Sequence, residues 1–219
     1  MKKIPIYFMP GLAAGPEIFK KLALDKEKYT FHYLKWIKPL DVEERIDNYA
    51  FRLSAKIKEE NPVLVGVSFG GIMVQELAKF LNPRKVIIIS SVKSPDELPG
   101  RFKFAKSTKI YKLFPIKVIE NFEDYTKYFL GKTLKRKADL YKKYLYVRSK
   151  ESLKWSIYTI IKWEQIKPIE NIIHIHGSAD TIFPIKNIKN AIEIKEGTHI
   201  MILTKAKKIS KIIDKILTF

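Results

Sequence analysis

Pro62-Val63-Leu64-Val65-Gly66-Val67-Ser68-Phe69-Gly70-Gly71 passes without a break from a continuous apolar run into a Gly-x-Ser-x-Gly turn. The run, rich in β-branched valine, reads as a strand buried on both faces. Ile72 to Leu81 follows at once with apolar residues at 73, 74, 77, 80 and 81, which is helical spacing. Ser68 is therefore expected at a sharp strand-to-helix corner, its side chain clear of both elements. Gly66 and Gly70 suit that corner, because a Cβ two residues to either side would crowd it. The corner is also a helix N-terminus, where unpaired N–H groups favour developing negative charge. The bare five-residue pattern is common in loops; the strand before it and the helix after it make Ser68 a candidate nucleophile.

Outward from this stretch the chain alternates. Residues 4 to 9 read as a first strand, ending at Pro10-Gly11-Leu12-Ala13-Ala14-Gly15-Pro16 before a short helix at 17–22. Tyr29 to Trp36, aromatic and β-branched, is a second strand. Asp41 with Glu44 three residues later resembles a capping box opening a helix whose apolar face is Val42, Ile46, Tyr49, Leu53 and Ile57. Lys85 to Ser91 is another apolar strand. Continuous apolar strands alternating with helices imply an α/β fold with a mostly parallel sheet covered on both faces. From 92 to 167 nothing reads as a strand, while 116–129, 133–148 and 151–164 look helical. The alternation resumes with a strand from Ile172 that ends in a polar turn at Asp180, a short helix or turn near 185–190, a last strand at 191–196 and a final amphipathic helix carrying Ile209, Ile212, Ile213, Ile216 and Leu217. Residues 1–91 and 168–219 are thus expected to form one core domain interrupted by a helical insertion at 92–167.

With 219 residues the chain is long enough to bury roughly 70 per cent of its unfolded surface. It has no cysteine, which excludes disulfides and thiolate metal sites and fits a reducing, cytoplasmic compartment. The first ten residues have no small-residue cleavage site and read as a strand, not a signal peptide; no apolar stretch reaches the ~18 residues of a membrane span. The net charge of +19 suggests an anionic partner, yet only six of the 42 basic residues are Arg. Nucleic-acid readers lean on Arg for bidentate contacts, and this Lys-rich balance instead reads as a solvated surface. Residues 101–167 hold eighteen Lys or Arg against six Asp or Glu, interleaved with aromatics. At helical spacing those aromatics form a packing face, so no nucleic-acid partner is expected, and contact with an anionic membrane would be weak.

A serine hydroxyl attacks poorly until a base takes its proton, and an imidazole works best as base when a carboxylate orients it. Ser68, Asp180 and His199 each lie just past the C-terminal end of an expected parallel strand, so all three fall on one edge of the sheet, where ligands bind. In this order the chain resembles the α/β-hydrolases, through Gly66-Val67-Ser68-Phe69-Gly70 as nucleophile elbow, His176-Gly177-Ser178-Ala179-Asp180 with Pro184 as acid turn, and Gly197-Thr198-His199 as base loop. The resemblance implies a six-stranded core without two further edge strands, with 92–167 as a helical cap. It also implies a serine hydrolase acting on a carboxylic ester or related acyl bond by a Ser68-His199-Asp180 triad, without cofactor or metal. The oxyanion would be held by the backbone N–H of Phe69 and one from the loop after the first strand, Leu12 or alternatively Ala13. That loop is Met9-Pro10-Gly11-Leu12 where the family usually has His-Gly; a backbone donor does not need the histidine. The aromatic cap favours an apolar small-molecule acyl substrate. A non-catalytic ligand-binding protein of the same fold is the alternative.

Other polar residues read as structural. His174 and His176 are two apart on one strand, a metal-binding spacing, but lack accompanying carboxylates or cysteine. His32 is mid-strand. Asp124 and Glu120 are alternative acids but sit in the insertion, and Ser90 and Ser91 are expected to line the site.

Overall fold

The three apolar strands around Ser68 lie side by side at the centre of one sheet. In the computed structural model, which describes residues 2–109, 149–165 and 169–218, the strands are β1 (Ile4–Met9), β2 (Tyr29–Tyr33), β3 (Val63–Val67), β4 (Lys85–Ile89), β5 (Ile172–Gly177) and β6 (Ile192–Ile194). Their order is β2-β1-β3-β4-β5-β6 and every pairing is parallel. The chain moves outward from β1 to β2 and then returns past β1 to β3. The order therefore reverses between β1 and β3, and connections leave their carboxyl ends in opposite directions, opening a crevice. Ser68 follows β3 and Leu12 follows β1, so both stand at that point.

Because successive side chains point to opposite faces of a strand, each strand feeds two cores. Tyr7, Met9, Leu64, Val86 and Ile88 face α1 (Ile46–Ser54) and α2 (Phe69–Leu77). Ile6, Phe8, Val63, Val65, Ile87 and Ile175 face the other way. Seven further helical segments complete the layers among the described residues, of which α3 (Gly100–Thr108), α4 (Lys150–Lys162), α5 (Met201–Thr204) and α6 (Ala206–Thr218) are α-helical and the other three single 3-10 turns. In α6 Ile209, Ile213 and Leu217 are buried on the second core while Lys207, Lys208, Lys211 and Lys215 are exposed, so its basic charge is a solvated face. Among the described residues no helix is long and apolar enough to cross a membrane.

Local expectations shift at three places. β2 stops at Tyr33: Leu34 N–H still donates to Phe8 O (2.9 Å), after which the chain turns and Trp36 leaves the sheet to stack on Phe69. The helix expected from Asp41 begins at Ile46 instead. Asp41 accepts from Glu43 N–H (2.6 Å) in a local turn, and the Glu44 carboxylate accepts from Leu40 N–H (2.7 Å) and takes Arg52 in a two-pronged ion pair, 2.9 Å on each oxygen. A carboxylate buried beside a guanidinium gains more from that pair than from a helix end. Third, α2 runs from Phe69 to Leu77, earlier than expected, and is buried all round, so its polar Gln75 and Glu76 need partners. They find them in the C-terminal part of the insertion: Gln165 donates to Gln75 (2.9 Å) and Trp163 Nε1–H to Glu76 (2.8 Å).

In the expected insertion, helices over 116–129 and 133–148 lie outside the described residues. α4 is capped by Ser149, whose hydroxyl accepts from Ser152 N–H (3.3 Å). Its Trp155 stacks on Tyr49 (4.1 Å between ring centres), approaches Phe69 (5.7 Å) and donates to Glu44 O (2.9 Å), which seats α4 on α1 and α2.

Candidate active site

Ser68 ends the buried β3 strand with φ 53° and ψ −121°, a backbone conformation that costs an L-residue of order 1–3 kcal/mol. The surroundings hold it there from both sides. Ser68 N–H donates to Ile89 O (2.9 Å), and Ser68 O accepts from Gly71 N–H (2.8 Å) and from the Ser91 hydroxyl (2.7 Å). The turn is so tight that a Cβ on Gly66 would lie 2.2 Å from Gly70 O. Gly66→Ala is accordingly expected to destabilise the fold by about 2–3 kcal/mol, since backbone must move; a denaturant melt checks it, and an unchanged midpoint would contradict it.

The three residues expected to act together do meet. The His199 ring lies 2.9 Å from Ser68 Oγ through Nε2 and 2.9 Å from Asp180 Oδ2 through Nδ1. A carboxylate only accepts, so Nδ1 carries the proton and Nε2 is left to accept from the serine hydroxyl. Asp180 is fully buried as a side chain, while His199 and Ser68 are partly open. Asp180 Oδ1 accepts from Ile182 N–H (2.8 Å) and Phe183 N–H (3.0 Å). Burial opposes its charge, but the neighbouring His199, the Phe183 N–H and His176 outweigh that and hold the carboxyl below its ordinary range. The acid and base loops touch directly: Ala179 N–H donates to Gly197 O (2.9 Å), and a Cβ on Gly177 would lie 2.1 Å from that same oxygen.

Phe69 opens α2 immediately after Ser68. Leu12 and Ala13 are the central residues of a turn closed by Ala14 N–H on Gly11 O (3.1 Å), with Ala13 at φ 59°. This loop rests on the start of α2, where a Cβ on Gly70 would strike Met9 O at 2.3 Å. Both expected oxyanion donors therefore belong to segments in contact beside Ser68.

The remaining polar residues divide. His176 Nε2–H donates to Phe183 O (2.8 Å) and lies 3.5 Å from Asp180 Oδ2; its Nδ1 accepts from His174 Nε2–H (3.0 Å). These two histidines brace the acid turn from behind, and among the described residues no group of three His, Asp or Glu could hold a metal ion. Burial first, and the neighbouring ring second, push His174 down to about 2; burial lowers His176 too, Asp180 offsetting part of it. In the unfolded chain both would protonate below the ordinary 6.5, whereas the folded chain keeps them neutral; the unfolded state then binds more protons and stability falls as pH drops from 6.5. The expected slope is up to about 1.4 kcal/mol per pH unit per histidine, read as unfolding free energy between pH 7.5 and 4.5. His174→Gln, which keeps a donor for His176, should flatten it.

His32 stacks on Tyr7 (4.5 Å) and faces Glu59 (3.3 Å) away from Ser68, and Ser90 is buried at φ 49° with its backbone on Ile175. Asp124 and Glu120 lie outside the described residues. Ser91, expected to line the site, sets its hydroxyl as a strut under Ser68, and two residues without a sequence signal also shape the site: Phe183 edge-on to the His199 ring (5.4 Å), and Trp36 against Phe69. Nothing in the spacing of Phe183 or Trp36 marks them, because each contact joins segments that are apart in the chain.

The sequence matches no family model and no curated protein. Solved structures resemble the fold throughout. A bromoperoxidase from Bacillus anthracis is similar at TM-score 0.71 and 17% identity, over 100% of this chain and 93% of that one. An enol-lactonase from Burkholderia xenovorans gives TM-score 0.71 and 14% identity over 100% and 93% of the two chains. A thermophilic esterase from Thermogutta terrifontis gives 0.69 and 12% over 99% and 90%. Likeness at such identities speaks for architecture and not for reaction, and it shows that the chain has the α/β-hydrolase fold.

Proposed function

We propose that this protein is a serine hydrolase that cleaves a carboxylic ester, or a related acyl bond, through an acyl-enzyme intermediate. The observation that carries the reading is the unbroken hydrogen-bonded path Asp180 to His199 to Ser68, ending on a serine held in a strained turn at the open edge of the sheet. Esterase and lactonase structures among the similar folds are consistent with it.

In this reading His199 Nε2 removes the Ser68 proton as Oγ bonds to the acyl carbon. Asp180 stabilises the imidazolium that results, and the backbone N–H groups of Phe69 and Leu12 receive the oxyanion. The proton on Nε2 then passes to the departing alcohol, leaving an acyl-Ser68 ester. Water, deprotonated by the same nitrogen, attacks that ester and releases the carboxylic acid. The aromatic residues of the insertion expected at 92–167 favour an apolar acyl group.

A serine-reactive fluorophosphonate tests the assignment. Stoichiometric labelling of the wild type at Ser68, and none of Ser68→Ala, is expected; an unlabelled wild type, or equal labelling of both, would sink the hydrolase reading and leave a ligand-binding protein of this fold.

A further inference from the structure

Between the two segments that carry the oxyanion donors stands one aromatic side chain. Trp36, just past the end of β2, lies face to face with Phe69, ring centres 4.8 Å apart and planes 8° from parallel. Tyr49 (6.2 Å) and Trp155 (6.3 Å, edge-on) pack against it as well. The half-buried indole has one polar atom, and Trp36 Nε1–H donates to Gly11 O at 2.9 Å. The same oxygen accepts from Ala14 N–H (3.1 Å), so Gly11 O is held by two donors.

Gly11 O and Leu12 N–H belong to one peptide unit. No peptide bond among the described residues is cis, and in a planar trans peptide the C=O and N–H point in opposite directions. Fixing Gly11 O toward Trp36 therefore fixes Leu12 N–H away from it. The face of the same ring rests on Phe69, the residue carrying the other donor. A rigid side chain with two χ angles thus sets both the direction of one donor and the seat of the other.

Resting on the hydrolase reading above, we propose that Trp36 is a positioning residue for the oxyanion site, acting through the Gly11–Leu12 peptide and the Phe69 ring without touching substrate. Oxyanion stabilisation depends on donors aimed at where charge develops, and a misdirected donor weakens the transition state more than the ground state.

The test is Trp36→Phe, which keeps an aromatic face on Phe69 and removes the N–H. Rates on a p-nitrophenyl ester are expressed per active site titrated with fluorophosphonate, so that unfolded protein lowers the number of sites and not kcat. The expected result is a fall in kcat of about tenfold with KM changed less than about twofold, and an equal rise in Ki for an alkyl boronic acid, whose tetrahedral serine adduct places an oxygen at the same donors. If Trp36→Phe gives no titratable sites, Trp36→Tyr is held to the same pattern. An unchanged kcat, a loss confined to KM, or an unchanged boronate Ki overturns the proposal while the hydrolase reading stands. A wild type that neither turns over nor is labelled overturns that reading, and the proposal with it.

Discussion

Ser68→Ala is expected to lower kcat on a p-nitrophenyl ester by at least about 10⁴-fold, the largest effect of any single change in this chain. The loss is specific to chemistry because the hydroxyl does little for stability. Among the described residues its one hydrogen bond is to His199, and the side chain is partly open to solvent. The strain at φ 53° is a property of the backbone and remains in the alanine variant. An unchanged thermal midpoint together with a lost rate is therefore the expected signature. What activity persists reports the donors and the binding surface alone. A residual rate above about one per cent of wild type would mean that the attacking group lies elsewhere.

Asp180→Asn should be nearly as severe, at about 10⁴-fold in kcat near neutral pH, for a reason written in the acid turn. Oδ1 is required as an acceptor by the N–H groups of Ile182 and Phe183. An asparagine must place its oxygen there, which turns its NH₂ toward His199. The ring can then present only an unprotonated Nδ1, so its proton moves to Nε2, the atom that must accept from Ser68. The base is present in the wrong tautomer. KM should change little, since Asp180 is buried away from substrate. A variant within tenfold of wild type would show that His199 does not depend on Asp180 for its tautomer.

Much of this site is legible along the chain because each part is local. A buried strand, a glycine-framed serine and a helix fit within the twenty residues from Pro62, and Asp180 and His199 each follow a strand whose pattern is plain. The misreadings are also local patterns, overruled by distant partners. Asp41 and Glu44 have the spacing of a capping box, but Arg52 and the Trp155 indole draw Glu44 into the core, as an ion pair through its carboxylate and a hydrogen bond through its carbonyl. The outer face of α2 is polar at Gln75 and Glu76 as a solvated face would be, and Trp163 and Gln165 cover it from almost ninety residues away.

By itself, then, the sequence determines the kind of elements, their order and the three residues worth testing, because hydrophobic period and turn chemistry are set by neighbours within a few positions. Strand order, the reversal between β1 and β3, the 2.9 Å contacts through His199 and the bond from Trp36 to Gly11 belong to the tertiary structure. These depend on which apolar faces find each other across the sheet. No periodicity along one strand records its neighbour, so the stretch from Pro62 to Gly71 marks Ser68 as the candidate nucleophile, and only the fold brings His199 to it.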